Sequence, residues 1–360
     1  LHKAIRRQRQ MCIRDSSGAD SLTYFDAVRF PVIGKIYPDS LPFFSRIPYF
    51  LKPTTREAVW NLGQNSAGIA VRFRSDSPVI AVKWENTFNN SMKHMAPVGI
   101  KGLDLYCFID GKWRFVNSAQ PSGKTNQWQI ISGMDATERE YMLYLPLYDG
   151  IHSLQIGVAA PSHIGQPSLP YPDTRKPIVF YGSSITQGAC ASRPGMAATN
   201  LIGRKLNVET INLGFSGNAF IDYEVAEMMA HVDASAYVLD YVPNASPEQI
   251  LEKTEKFVRI LREKHPDVPL IFVEDPIFPH SKFDLRMAKE IKDKNDAMNQ
   301  AFSSLKKQGL KKIYLVKGRS LISANGESTV DGIHFTDCGF EQYVDAILPI
   351  LKKAINHKKK

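Results

Sequence analysis

The chain has 360 residues, 43% of them hydrophobic and 22% charged, with a formal net charge of +9. That length exceeds what one core usually fills and predicts two domains of ordinary globular composition, and no apolar run is long enough to cross a bilayer. The positive charge does not indicate a nucleic-acid partner: five Lys/Arg against two Asp fall in residues 1–20 and three lysines close the chain, leaving a body of about +3 with no basic stripe interleaved with aromatics.

Residues 1–20, LHKAIRRQRQMCIRDSSGAD, carry basic residues with no apolar stretch behind them. They do not read as a signal peptide, and MCIRDS has the look of translated adaptor sequence, so a non-native or disordered leader is expected there. An export signal lost at this end would make the protein secreted or periplasmic, and localisation stays open.

Residues 21–160 read as all-β. GIAVRF alternates at Ile69, Val71 and Phe73, and VIAVKW repeats the period with Val82 and Trp84. LDLYCFI and KWRFVN are joined by Asp110-Gly111, a two-residue hairpin signal, and WQIIS, EYMLYLP and HSLQIGVA follow. Short strands at this spacing, without a helical period, predict an antiparallel sandwich of jelly-roll type. Its aromatics Tyr106, Trp113 and Trp128 are either sugar-stacking surface residues or core. Five prolines in 161–177 predict a stiff linker.

From 178 to about 356 the rhythm changes to strand, loop and helix. IVFYG, ETINLG, AYVLDY, PLIFVE and KIYLVK are near-continuous apolar runs, as strands buried on both faces require. Ser246, Pro247 and Gln249 form the signature of a capped helix start, with Ile250, Phe257 and Leu261 on its apolar face. A second helix covers about 284–307 and a third carries Phe340, Val344, Ile347, Leu348 and Leu351. The prediction is a three-layer α/β/α, flavodoxin-like domain with a parallel sheet.

In such a sheet, ligands bind beyond the carboxyl ends of the strands. Gly182-Ser183-Ser184 follows the first strand, Gly214-Phe215-Ser216-Gly217-Asn218 the second, and Asp240 with Asn244 the third; Asp331 and His334 follow the fifth. A serine hydroxyl needs a base to take its proton, and the base needs a carboxylate to fix its tautomer. Ser184 is therefore the candidate nucleophile, His334 its base and Asp331 the orienting acid. The Ser184 and Gly217 N–H groups and the Asn244 amide are candidate oxyanion donors. Each also has a plain structural explanation: a tight turn, a positive φ, a residue near a helix cap, a core histidine.

Four cysteines, Cys12, Cys107, Cys190 and Cys338, give no C-x-x-C pattern. A Cys190–Cys338 bridge is open should the two motifs converge, with two buried thiols as the alternative. Nine histidines without H-x-H or H-E-x-x-H spacing predict no metal, and Gly182 to Gly188 lacks a phosphate-binding pattern, so no cofactor is expected. His280 falls on the functional edge, as a substrate contact or an exposed loop residue.

GSSIT, NLGFSGN, VPN and DGIHF resemble the four blocks of the SGNH (GDSL-like) hydrolase family over about 178–355. HMAPVGIKGLDLYCF resembles the GxDLY region of the β-domain that precedes some SGNH-type esterases. The resemblance implies catalytic Ser184, His334 and Asp331, with oxyanion donors at Ser184, Gly217 and Asn244. Two departures stand out: Ser183 where the family usually has Asp, and Val-Pro before Asn244 where many members have a glycine-containing turn. The expected activity is removal of acetyl or similar small acyl groups from a carbohydrate or other small-molecule ester. The alternatives are a lipid or thioester acyl hydrolase, and a non-catalytic glycan-binding protein with a vestigial hydrolase domain. The oligomeric state is not indicated.

Overall fold

The computed structural model describes residues 21–169 and 176–356. The expected leader and part of the expected linker lie outside the described residues.

In the first half, strands β1 (Leu22–Asp26), β2 (Val32–Ile33), β3 (Ala70–Ser75), β4 (Ile80–Asn86), β5 (Leu103–Ile109), β6 (Lys112–Ala119), β7 (Thr125–Ile131), β8 (Arg139–Tyr144), β9 (Ile151–Ala159) and β10 (Ile164–Gly165) build two antiparallel sheets. One has the order β1-β9-β4-β7; the other runs β10-β3-β8-β5-β6, with β2 also on β3. Ile69, Val71, Phe73, Val82 and Trp84 all enter the core between the sheets, as the alternation required. Asp110 and Gly111 turn the β5–β6 hairpin with φ of 52° and 72°, the paired positive values of a type I′ turn. β10 shows that part of the proline-rich segment completes a sheet edge.

Two helices interrupt the expected all-β stretch: α1 (Glu57–Gly63) and α2 (Pro97–Lys101). Both are too short to show a repeating apolar period, and both are held by packing rather than propensity. Val59 and Trp60 of α1 and Ile100 of α2 are buried in clusters shared with the second half.

The second half places β11 (Ile178–Gly182), β12 (Thr210–Gly214), β13 (Ala236–Asp240), β14 (Leu270–Val273) and β15 (Ile313–Val316) in one parallel sheet of order β12-β11-β13-β14-β15. The helices are α3 (Ser184–Gln187), α4 (Ala198–Leu206), α5 (Tyr223–Ala230), α6 (Pro247–Lys264), α7 (Leu285–Lys307) and α8 (Asp337–Asn356). Odd and even strand residues enter different cores. Val179, Tyr181, Leu213 and Leu239 pack with α5, α6 and α7, while Ile178, Phe180 and Val238 pack with α4 and α8. The three-layer α/β/α expectation holds. α6 starts on the predicted capping box: Gln249 N–H donates to Ser246 Oγ at 3.2 Å and Ser246 N–H to Gln249 Oε1 at 3.0 Å.

The halves share their interiors. Ile47, Val59 and Trp60 join the core on one side of the parallel sheet; Ala67, Met95, Ile100, Leu147 and Tyr148 join the core on the other. Arg46 is fully buried and donates to four carbonyls: Leu62 (2.6 Å), Asn65 (2.9 Å), Asn212 (3.2 Å) and Gly214 (2.6 Å). It ties the first half to the end of β12, and burial pulls its guanidinium down to about 9.

The GLDLY segment makes a second lock. Buried Asp104 accepts from Arg193 Nη1 (2.9 Å), from Gly195 N–H (2.7 Å) and from Ser118 Oγ (2.6 Å), and Arg193 also donates to Tyr106 Oη at 2.6 Å. Tyr106 and Trp113 are therefore not surface sugar platforms. Tyr106 lies under Arg204 of the second half at a centroid distance of 4.1 Å, and Trp113 lies under Arg72 of its own sheet at 5.1 Å. Trp128 is 36% exposed.

Candidate active site

Parallel pairing brings Gly182, Gly214 and Asp240 to one level at the carboxyl edge of the sheet. The chain turns there into the short helix α3. Ser183 caps it, its Oγ accepting from Ile185 N–H at 3.3 Å, so the residue that departs from the resembled pattern has a capping role. Ser184 is the first helical residue and is nearly buried. Thr186, two residues on, donates to Asp240 Oδ2 at 2.9 Å, and Tyr343 Oη of α8 donates to the same oxygen at 2.7 Å. Asp240 thus joins α3, β13 and α8 beneath the site. Burial pushes its carboxyl up to about 7 against those two hydrogen bonds.

The loop between β15 and α8 brings Asp331 and His334 to Ser184. Asp331 Oδ1 accepts from the N–H groups of Ile333 (3.1 Å) and His334 (2.8 Å), which folds the three-residue step into a turn. His334 Nδ1 then lies 2.8 Å from Asp331 Oδ2, and its Nε2 lies 3.0 Å from Ser184 Oγ. Partial burial raises the Asp331 carboxyl, but the His334 ring and the two N–H groups outweigh it and bring it down to about 2. Asp331 is therefore ionised at neutral pH, and an ionised acceptor at Nδ1 makes that nitrogen the N–H and leaves Nε2 to face the serine.

The second and third loops meet beside it. Ala219 N–H donates to Asn244 Oδ1 at 3.2 Å, which sets the Asn244 amide against the turn containing Gly217. Gly217 has φ of 65°, where an L side chain is strained. Among the described residues, the Ser184 and Gly217 N–H groups and the Asn244 NH2 have no protein acceptor. Buried Gln187 braces this turn, accepting from Ser216 N–H at 3.0 Å and donating to Asn65 Oδ1 at 3.0 Å.

Several residues at the site had no signature in the sequence. Arg56, from the first half, donates through Nε and Nη2 to both oxygens of Asp222 (2.9 and 3.2 Å) and through Nη1 and Nη2 to the side chain and carbonyl of Asn218 (2.9 and 2.8 Å). Tyr148 donates to the Ser184 carbonyl at 3.4 Å. The His94 ring sits 5.3 Å from that of His334. No local pattern connects these positions to the motifs; they arrive through the shared interior of the two halves.

Two expectations are corrected. The alternative of two buried free thiols holds for Cys190 and is corrected for Cys338, which is free but exposed on the first turn of α8, where Gln342 Nε2 contacts its sulfur at 3.4 Å. Burial pushes the Cys190 thiol up to about 12. His280 is not an exposed loop residue. It is half-buried against Gly332, beside Asp331, and borders a surface cleft of about 470 Å³.

Residues 175–352 match the family model described as GDSL-like lipase/acylhydrolase, and residues 22–164 match that of the N-terminus of SGNH-hydrolase-type esterases. A structure described as a GDSL-like lipase from Bacteroides ovatus is 38% identical, with a TM-score of 0.89 over 93% of this chain and 98% of that one. A salicylyl-acyltransferase from a tetracycline biosynthetic pathway shares the fold at 18% identity and a TM-score of 0.68, covering 92% of this chain and 94% of its own. A family two carbohydrate esterase from Cellvibrio japonicus does so at 11% identity and a TM-score of 0.61, covering 93% and 98%. Comparison with curated proteins gives no match.

Proposed function

The chain belongs to the GDSL-like lipase/acylhydrolase family and is an ester-bond hydrolase, and from that premise we propose a serine esterase that works through Ser184, His334 and Asp331 on acetyl esters of carbohydrate. The observation that carries it is the continuous relay from Ser184 Oγ through the His334 ring to Asp331, with contacts of 3.0 and 2.8 Å.

Ser184 Oγ attacks the acyl carbonyl while its proton passes to His334 Nε2. Asp331, ionised and held at Nδ1, stabilises the imidazolium that forms. The tetrahedral oxyanion takes hydrogen bonds from the Ser184 and Gly217 N–H groups and the Asn244 amide, each such donor being worth about 3–4 kcal/mol in the transition state. His334 gives the proton to the departing alkoxide, leaving an acyl-serine. Water, deprotonated by the same nitrogen, then attacks the acyl carbon, and collapse returns the acid and free Ser184.

A short acyl group is favoured by the near-burial of Ser184 and by buried Tyr148 and Cys190 beside the relay. Carbohydrate as the carrier is supported at the level of fold, since the same two-part architecture serves the carbohydrate esterase from Cellvibrio japonicus.

Wild-type protein should release p-nitrophenol from p-nitrophenyl acetate and acetate from acetylated polysaccharides. Ser184→Ala should lower kcat by about 10⁴-fold or more. Rates that climb with acyl length would replace the acetyl assignment by a lipid or thioester one. Equal hydrolysis by wild type and Ser184→Ala would end the serine mechanism, and glycan binding with no turnover would make the domain a vestigial binder.

A further inference from the structure

His94, Cys190 and His334 converge on one point from three separate loops. One ligand atom from each, the Cys190 sulfur and a ring nitrogen of either histidine, lies within 4.8 Å of the other two. A tetrahedral zinc ion with bonds of about 2.0–2.3 Å spaces its ligands by roughly 3.3–3.8 Å. The three atoms need to close by about 1 Å to reach that spacing. His94 is exposed, so its side chain is free to make the adjustment.

The other two ligands are fixed. Cys190 holds φ of 68° in the turn after α3, where Ala191 N–H donates to the Gly188 carbonyl at 3.2 Å. A Cβ on Gly99 of α2 would collide with the Ala191 carbonyl oxygen, so helix and turn pack backbone to backbone. The loop bearing His94 begins at N–H groups of Phe88, Asn89 and Asn90, which donate to buried Asp149 at 2.9, 2.8 and 2.7 Å. It is anchored again at buried Met95. His334 has its Nδ1 engaged by Asp331, which leaves Nε2 for an ion. A carboxylate behind a ligating imidazole is the arrangement that orients such ligands and raises their basicity.

We infer that His94, Cys190 and His334 bind a borderline-soft divalent cation, Zn²⁺ above all, and that the ion switches the hydrolase off. One thiol and two imidazoles are a donor set for zinc rather than for magnesium or calcium. As the sulfur–metal bond forms, the Cys190 proton leaves to solvent. His334 Nε2 becomes a ligand in place of its contact with Ser184 Oγ, so the hydroxyl loses its base. The inhibitory half of this inference rests on the serine-esterase reading; the binding half does not.

The two halves are tested separately on the full chain. Co²⁺ added to Ser184→Ala protein should produce near-ultraviolet thiolate charge-transfer absorption that Zn²⁺ abolishes. In the same background, His94→Ala and Cys190→Ser should each weaken Co²⁺ binding by about tenfold or more. In protein with intact Ser184, Zn²⁺ should inhibit ester hydrolysis reversibly on chelation, and His94→Ala should require about tenfold more Zn²⁺ for the same inhibition. Absence of the thiolate band, or unchanged Zn²⁺ sensitivity of His94→Ala, overturns the inference. His94 is exposed, so that variant keeps the test valid even where Cys190→Ser fails to fold. Cation binding without any ester hydrolysis would sink the esterase reading and leave the site standing.

Discussion

Arg56 reaches from the first half into the turn that presents Gly217, and replacing it by alanine tests whether that support matters for turnover. The substitution removes a two-pronged ion pair to Asp222 and two hydrogen bonds to Asn218. Asp222 is 7% exposed, but the Arg56 side chain is 34% exposed, so solvent discounts the pair to about 1 kcal/mol. Adding roughly 1 kcal/mol for each lost hydrogen bond gives a stability cost of about 2–3 kcal/mol. The turn keeps other ties: Asn218 N–H to the Phe215 carbonyl (2.8 Å), Asn218 Nδ2 to the Ser216 carbonyl (2.9 Å) and Ser216 N–H to Gln187 (3.0 Å). The Gly217 N–H should therefore be displaced rather than lost. Complete loss of one oxyanion donor costs about 10²–10³ in kcat, so displacement should cost about tenfold to a hundredfold. KM should stay within about twofold, because the donor acts in the transition state. Arg56→Lys keeps the charge without the fork and should fall between wild type and alanine. The assay is kcat and KM on p-nitrophenyl acetate beside a urea unfolding curve. Unchanged kcat in a folded Arg56→Ala protein would refute the positioning argument, as would a loss confined to KM.

Other outcomes follow from the same geometry. Asn244→Ala should lower kcat by about 10²–10³, whereas Gly217→Ala, with no neighbour within 4 Å of its Cβ, should add only about 1 kcal/mol of backbone strain and keep most activity. Buried Asp240 is raised from 3.8 to about 7, so in that window the folded chain holds a proton that the unfolded chain has released. Stability should then fall as pH rises from about 4 to 7, and Asp240→Asn should flatten part of that slope in urea titrations; an unaltered slope would count against it. Asp275, raised likewise to about 7 by burial, should contribute a slope of the same sign. Mass mapping after brief alkylation of native protein should find Cys338 modified and Cys107 and Cys190 protected, and a Cys190–Cys338 crosslink after mild oxidation would contradict the geometry.

The readable parts of the chain were those in which a local pattern has one physical meaning. Asp110-Gly111 could hardly be anything but a hairpin turn, and Ser246 with Gln249 specifies a helix start by two reciprocal hydrogen bonds. The parallel strands announced themselves because burial on both faces leaves mainly apolar runs, with Thr210 and Asn212 in β12 and Asp240 at the end of β13 as hydrogen-bonded exceptions. The relay of Ser184, His334 and Asp331 was visible because strand order places distant motifs on one edge. What stayed hidden depends on contacts between the halves. The alternation of β3 points Val71 and Phe73 inward, but it gives no hint that the opposite face, with Ala70 and Arg72, is buried as well. Tyr106 is an aromatic on a face that an isolated sandwich would expose, and Arg193 and Arg204 of the second half cover it here. Arg56 and His94 lie in loops whose own sequences suit almost any surface.

The interleaved interiors bear on how the protein is made. Synthesis delivers the sandwich first, with Ile47, Val59, Trp60, Met95 and Tyr148 already committed to cores whose other walls are still unsynthesised. Until α8 emerges and closes the last layer, those side chains and the lone Arg46 cation wait without partners from the later half. A ribosome-bound nascent chain halted near residue 170 is thus the species most in need of a chaperone, and cutting the gene at that point should yield two sticky fragments instead of two working modules.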